Sequence, residues 1–228
     1  MKILLIIPAR KGSKGVPKKN SRLLGNKPLV SYTIELAKKF KSDQVDILVT
    51  SDCKNILSIA KKNSVIPYLR SNALSDDKAT MLDVVEDVLK NVNKEYESII
   101  LLQPTCPFRK EKHLKEAIDI LESKKYSSAI SYIKVDDHHP ARMYKIKNDL
   151  MEPLEPKYES LNRQDLPNIY LRSGSIYGIS VEVFLTTRTF FQKDAYMILH
   201  ESPIEAVNID NELDFLLAQT IIENKLFN

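Results

Sequence analysis

The sequence predicts an α/β fold, a three-layer α/β/α sandwich on a mostly parallel sheet, and three observations support this. Residues 3–7 form an unbroken apolar run closed by Pro8, as expected of a strand buried on both faces within a parallel sheet. Strand-like and helix-like patterns then alternate along the chain, the signature of βαβ units. The 228 residues, 43% hydrophobic and 28% charged, suit one well-cored domain over 1–228.

The first strand leads into a loop rather than a helix. After it the pattern predicts a helix over about 28–40, a strand at 46–50, a helix at 55–62 and a short strand near 65–68. A helix near 80–91, a strand at 98–102, a helix at 111–123 and a strand at 127–134 follow. Right-handed crossovers between such units gather loops at the carboxyl ends of the strands, where ligands bind. Between about 136 and 168 the alternation breaks: Pro140, Pro153, Pro156 and Pro167 interrupt polar sequence and no long helical period survives. Such an excursion is expected to be a lid or a partner-binding arm. Strands at 173–179 and near 195–199 and a closing helix around 212–224 complete the chain, which carries no repeat and no low-complexity tract.

Composition excludes several classes. No stretch is long and apolar enough for a signal segment or a membrane span. Cys53 and Cys106 have no metal-ligand spacing and suggest no disulfide framework, so a reducing cytoplasm is the expected location. A net charge of +4 is modest for this length and does not describe a nucleic-acid binder. The charge is concentrated, however: Arg10, Lys11, Lys14, Lys18 and Lys19 lie together with no acid among them. A local positive field of this kind suits a small polyanion.

That basic segment, Ala9 to Asn20, leaves the carboxyl end of the first strand. Gly12 and Gly15 let the backbone turn its amides toward an anion, and the cations supply matching charge. It is neither a Walker loop nor a Gly-x-Gly-x-x-Gly fingerprint, which disfavours a NAD-type oxidoreductase. On spacing alone a solvated basic loop remains the alternative.

The run Ile7-Pro8-Ala9-Arg10-Lys11-Gly12-Ser13-Lys14-Gly15-Val16-Pro17-Lys18-Lys19-Asn20, with Leu24-Gly25-Asn26-Lys27-Pro28-Leu29 after it, closely resembles the signature of the acylneuraminate cytidylyltransferases. The related enzymes for eight-carbon acids carry an Arg-Leu-Pro-Gly-Lys run here, so the match favours nine-carbon substrates. The resemblance implies a Rossmann-like nucleotidyltransferase domain that joins CTP to a sialic, legionaminic or pseudaminic type of acid, with Mg²⁺ as cofactor. It also implies that the excursion is a dimerisation arm and active-site lid, so a homodimer is expected.

Residue by residue, the resemblance assigns Arg10, Gly12, Ser13, Lys14, Gly15, Lys19 and Asn20 to the nucleotide, with Arg70 and Thr80 around the cytosine and ribose. Thr80 is equally a helix cap. In Leu102-Gln103-Pro104-Thr105-Cys106-Pro107-Phe108-Arg109 it assigns Gln103 to the acceptor sugar. Cys106, where a Ser is usual, reads as a packed residue. His138-His139-Pro140-Ala141-Arg142 and Asn162-Arg163-Gln164 make Arg142 and Arg163 candidates for the sugar carboxylate and α-phosphate. The adjacent histidines have no third ligand spaced for zinc and are expected to be structural or interfacial.

Tyr177, Phe190 and Phe191 would form an aromatic wall against the sugar tail, though each Phe alone is equally an ordinary core residue. Ser173 stands where the family has Asn. In Asn208-Ile209-Asp210 the family has Asp-x-Asp holding Mg²⁺, so Asp210 and Asn208 are the metal candidates, with one negative charge lost. Arg10, Lys19 and Asp210 are the expected catalytic groups, and replacing Lys19 by Ala should reduce turnover with little loss of folding. A nucleotidyltransferase for another acidic sugar and a non-catalytic nucleotide-binding relative remain the alternatives.

Overall fold

The computed structural model describes residues 1–76 and 78–227. Strand β1 (Ile3–Pro8) is followed by a tight hairpin of β2 (Leu23–Leu24) and β3 (Lys27–Pro28), whose turn uses Gly25 at φ 61°. Then come α1 (Leu29–Lys38), β4 (Val45–Ser51), α2 (Lys54–Lys62), β5 (Ile66–Leu69), α3 (Met81–Asn91), β6 (Ser98–Leu102), α4 (Glu111–Ser123) and β7 (Ser128–Lys134). The excursion holds the hairpin β8 (Tyr144–Lys147) and β9 (Leu150–Pro153). The domain resumes with β10 (Tyr170–Ser180), α5 (Val181–Thr187), β11 (Tyr196–His200) and α6 (Glu212–Glu223).

Seven strands pair in the order β11-β7-β10-β6-β1-β4-β5. β1, β4, β5 and β6 are parallel neighbours, β10 is antiparallel to both β6 and β7, and β11 is parallel to β7. Every strand except β10 therefore runs the same way, which is the mostly parallel sheet that the apolar run at 3–7 predicted.

Side chains alternate across this sheet and are covered on both faces. Ile3, Leu5, Ile7, Ile47, Val49, Ile100 and Leu102 meet α1, α2 and α4 on one side. Leu4, Ile6, Leu48, Ile99 and Leu101 meet Val85 and Val88 of α3, with Phe184 and Phe190, on the other. In β1 this is the period of two expected of a strand, carried by apolar residues from Ile3 to Ile7 because neither of its faces meets water. A third cluster seats α6 through Phe215, Ala218 and Ile221 against Val16, Leu24, Leu29 and Phe108. The basic loop is thereby anchored at its centre by one buried valine.

Sequence patterning missed α5, because Val181, Val183 and the two threonines that end it look like a continuation of β10. Ser180 starts the helix instead, its hydroxyl accepting from the Val183 amide. The β8–β9 hairpin was also illegible. It turns on Asn148 and Asp149, both left-handed at φ 51° and 62°, a pair suited to a two-residue turn, but its apolar side chains face solvent and show no core-directed period.

Candidate active site

The carboxyl ends of β1, β5 and β6 open onto a cleft of about 310 Å³. Arg10, Gly12, Ser13, Lys19 and Asn20 from the basic loop, Arg70 after β5, Thr80 before α3, and Gln103 after β6 all line it. Eight residues from four separate stretches of sequence thus share one cavity, because parallel strands deliver their following loops to the same edge of the sheet.

The loop is pinned at both ends. The Ala9 amide donates to the Thr50 carbonyl at 2.9 Å, and Asp52 accepts from the Lys11 amide at 2.7 Å. Asn20 is buried and its side-chain amide donates to the Arg10 carbonyl at 2.9 Å. Gly15 touches the Asp210 backbone so closely that a Cβ there would lie 1.8 Å from the Asp210 carbonyl oxygen. That contact, rather than a left-handed φ, is what makes glycine necessary at 15. Lys14 is exposed and lies outside the cleft lining.

Lys19 is 9% exposed, and its ammonium donates to the Ile209 carbonyl at 2.6 Å and to Asp210 Oδ1 at 3.3 Å. It is a buried tie between the loop and the 208–210 segment. The premise that Lys19 is a freely removable loop cation therefore needs correction, because the fold uses its charge to satisfy a carbonyl and a carboxylate.

Asn208 Nδ2 donates to Asp210 Oδ2 at 2.5 Å, and its Oδ1 accepts from the Cys106 thiol at 3.6 Å. The Ile209 amide donates to the Thr105 carbonyl at 2.9 Å. Burial pushes the Cys106 thiol above its ordinary value. It is a packed neutral donor, not a nucleophile.

Two buried polar atoms in this cleft have no hydrogen-bond partner among the described residues, Asn20 Oδ1 and Arg70 Nε. Burial pulls the Arg70 guanidinium below its usual value, opposed by the nearby Asp52 carboxylate. Unpaired buried polar atoms are costly in a closed protein and are commonly satisfied by a ligand or water. Thr80 is both a cleft residue and a helix cap. It lines the cleft, and it forms a capping box with Asp83, its hydroxyl accepting from the Asp83 amide at 3.2 Å.

Gln103 is held from behind by Arg109, which sequence reading passed over because it lay inside an apolar turn. Arg109 is 3% exposed and donates to the carbonyls of Gln103 at 3.0 Å and Ser175 at 2.7 Å. Burial draws its guanidinium down to about 10, so it stays charged at neutral pH. It ties the turn after β6 to a bulge in β10, where the register slips between Arg172 and Tyr177 and Gly174 adopts φ 77°.

The aromatic wall separates into core and surface. Phe190 is 4% exposed and packs on Phe184 at 5.3 Å, an ordinary core contact. Phe191 is half-exposed, edge-on to Tyr177 at 6.2 Å, with the Arg172 guanidinium 4.1 Å from its ring centroid. Arg172 went unnoticed in the sequence, since a cation stacked on an aromatic leaves no local pattern.

Arg142 and Arg163 do not join the cleft within this chain. Arg142 donates to the carbonyls of Glu159 at 2.7 Å and Leu161 at 2.5 Å, and Arg163 pairs with Asp137 at 2.9 Å. Both brace the excursion. His139 is likewise structural: its Nδ1 accepts from the Ala141 amide and its Nε2 lies 3.0 Å from the Pro167 carbonyl.

Comparison with known proteins identifies the family and the fold. The chain is 34% identical to an N-acylneuraminate cytidylyltransferase of Escherichia coli, with 98% of the chain aligned to 53% of that protein. It is 31% identical to a CMP-N,N'-diacetyllegionaminic acid synthase of Legionella pneumophila over 98% of the chain and 97% of that protein. The chain thus spans about half the length of the first relative and nearly all of the second. Its fold superposes with a TM-score of 0.73 on a CMP:2-keto-3-deoxy-manno-octonic acid synthetase complexed with CTP, at 14% identity and covering 99% of this chain and 100% of that one. A family model described as cytidylyltransferase matches residues 4–227, and the chain belongs to that family of nucleotidyltransferases.

Proposed function

We propose that this chain transfers CMP from CTP to the anomeric hydroxyl of a nine-carbon acidic sugar of the neuraminic, legionaminic or pseudaminic type, releasing pyrophosphate for the assembly of surface glycans. The observation that carries this reading is the shared cleft of Arg10, Lys19 and Arg70, with Asn20 Oδ1 and Arg70 Nε buried there and awaiting partners.

In this reaction the anomeric oxygen forms a bond to the α-phosphorus as the bond to the β-bridging oxygen breaks. Pyrophosphate carries away the electron pair, and the hydroxyl proton passes to Asp210 or to solvent. Positioning and charge neutralisation do most of the work in such transfers. Arg10, Ser13 and the backbone at Gly12 would receive the phosphates. Lys19 has two of its three N–H groups engaged, which leaves one to donate to the departing pyrophosphate. Gln103 would meet the sugar, with Arg109 fixing its position.

Mg²⁺ is the expected cofactor, and the residues present fit it. Asp210 offers an exposed carboxylate beside the cleft cation Lys19, an oxygen donor of the kind that holds Mg²⁺ together with substrate phosphates. Asn208 turns its NH₂ toward Asp210, so it would give the metal an oxygen only after its amide flips. Bound Mg²⁺ would supply neutralising charge for the triphosphate.

The excursion would be a dimerisation arm that brings Arg142 and Arg163 toward a partner's sugar site. Its exposed Ile146, Leu150 and Met151 suit burial against a second copy. The protein is expected to work in the cytoplasm, and no helix among the described residues is long and apolar enough to cross a membrane.

The test incubates the chain with CTP, Mg²⁺ and each of the three acids, following pyrophosphate release and the CMP-sugar by mass spectrometry. Product with one acid supports the reading. CTP binding with no product from any acid would instead support a non-catalytic nucleotide-binding role.

A further inference from the structure

Away from the nucleotide cleft, three side chains from separate elements meet in the interior. His113 lies in the first turn of α4, His200 ends β11, and Glu205 belongs to the short 3-10 helix Pro203–Ala206. They are 1%, 5% and 1% exposed. Glu205 Oε2 lies 3.6 Å from His200 Nδ1 and 3.7 Å from His113 Nε2, and the two rings stand edge to face with centroids 4.7 Å apart. One potential ligand atom from each residue falls within 4.8 Å of the others. Neither nitrogen–oxygen separation is a hydrogen bond.

The surrounding hydrogen bonds decide where the protons are. The Ser131 hydroxyl donates to the Ile176 carbonyl at 3.3 Å, and the Ser173 hydroxyl donates to Ser131 Oγ at 2.7 Å. With both hydroxyl protons so directed, the 2.9 Å contact between Ser173 Oγ and His200 Nε2 is completed by the tautomer in which the imidazole donates. His200 Nδ1 is then a bare lone pair facing a carboxylate oxygen. Neither nitrogen of His113 has a hydrogen-bond partner among the described residues. Acceptors turned toward one another inside a protein are unfavourable, and a cation between them removes the conflict.

We propose that His113, His200 and Glu205 form a structural site for a borderline-soft divalent metal of the Zn²⁺ class, separate from the Mg²⁺ expected at Asp210. Two imidazoles and a carboxylate are ligands that Zn²⁺ accepts, whereas Mg²⁺ prefers oxygen alone. The outer contacts are those that such ligands need. Ser173 fixes the His200 ring, while Lys110 at 2.8 Å and the Glu201 amide at 2.9 Å orient the Glu205 carboxylate. Burial holds both imidazoles below their ordinary range, His200 to about 4. Burial alone would raise Glu205, but Lys110 and the Glu201 amide outweigh it and the carboxyl is lowered. Glu116 and Glu201 add negative potential at His113 against Lys112, and Arg109 adds positive potential at His200.

Such a metal would tie α4 and β11 to the chain immediately before Asn208 and Asp210. Through Ser173 it would also brace the β10 bulge beside Gln103. Its role is to hold the segment that carries the acidic group in place, with no part in phosphate chemistry.

The full chain is refolded with and without ZnSO₄, dialysed, and its metal content measured alongside thermal unfolding. Wild type should retain close to one zinc per chain and unfold at higher temperature with it. Asp210→Asn should retain zinc equally. His113→Gln, which breaks no hydrogen bond and is expected to fold, and Glu205→Gln should each weaken binding by about ten-fold or more. Co²⁺ in place of zinc should give the intense visible bands of a tetrahedral site in wild type and not in His113→Gln. A wild-type chain that stays zinc-free, or zinc retained equally by both ligand variants, overturns the site.

Discussion

Lys19 is the residue on which loop and acidic segment depend together. Its ammonium satisfies the Ile209 carbonyl and one oxygen of Asp210 from a buried position. Lys19→Ala should lower kcat/KM by about 100-fold or more, through loss of a preorganised cation. It should also destabilise the fold by ~1–3 kcal/mol, because a buried acceptor loses its donor. Pyrophosphate release and urea unfolding of the same preparation check both halves, and unchanged stability would contradict the tie. Asn208→Asp removes the amide that donates to Asp210 and sets two carboxylates side by side. Apparent Mg²⁺ affinity should rise, and without metal the variant should melt below wild type. A titration of turnover against Mg²⁺, paired with melting in chelator and in Mg²⁺ plus CTP, reads both effects. At this scale the sequence revealed residue types in a motif. It could not reveal that Asn208 points its nitrogen at Asp210, since the backbone that faces the two side chains toward each other is held by the Ile209 amide on Thr105, a hundred residues away.

The elements around the site transmit local changes to it. Gly15 has no room for a methyl group because the Asp210 carbonyl lies where the Cβ would be, whereas a Cβ on Gly12 meets nothing within 4 Å. Gly15→Ala should therefore cost about 1–3 kcal/mol through forced displacement of the loop, with turnover falling as Asp210 moves. Gly12→Ala should melt within ~0.5 kcal/mol of wild type. Equal melting of the two variants would deny the close contact. Near the start of β4, Asp46 accepts from the Tyr96 hydroxyl at 2.9 Å and pairs with Lys94. Burial opposes its ionisation, but these partners outweigh burial and its carboxyl is lowered. A lowered folded value means the stabilisation is present above the unfolded value of about 4 and is lost as pH falls through the folded one. Asp46→Asn should then be less stable than wild type by ~1 kcal/mol at neutral pH and equal to it in strong acid. Urea unfolding across that range tests the sign.

For the whole molecule, the arm leaves the domain with Ile146 82%, Leu150 72% and Met151 76% exposed. If a second copy covers them, Ile146→Asp should weaken association by about ten-fold or more, the equivalent of ~1.5–3 kcal/mol for one buried aliphatic side chain. Sedimentation equilibrium of wild type and variant measures this, and a wild-type monomer at micromolar concentration would remove the arm from the account.

The sequence by itself determined the layered architecture, the strand that begins it, the loop that follows and the bounds, within a few residues, of the elements it identified. Those features follow from hydrophobic period and turn chemistry within a few neighbouring residues. It also placed Arg10, Lys19, Arg70 and Gln103 in one function before any fold was drawn, through resemblance along the chain. Only the tertiary structure decided that Lys19 is buried, that Phe190 is core while Phe191 is surface, and that Arg109 stands behind Gln103. It alone brought His113, His200 and Glu205 together. These outcomes depend on contacts between residues far apart in the chain, where local pattern carries no information and the packing of distant elements sets every distance.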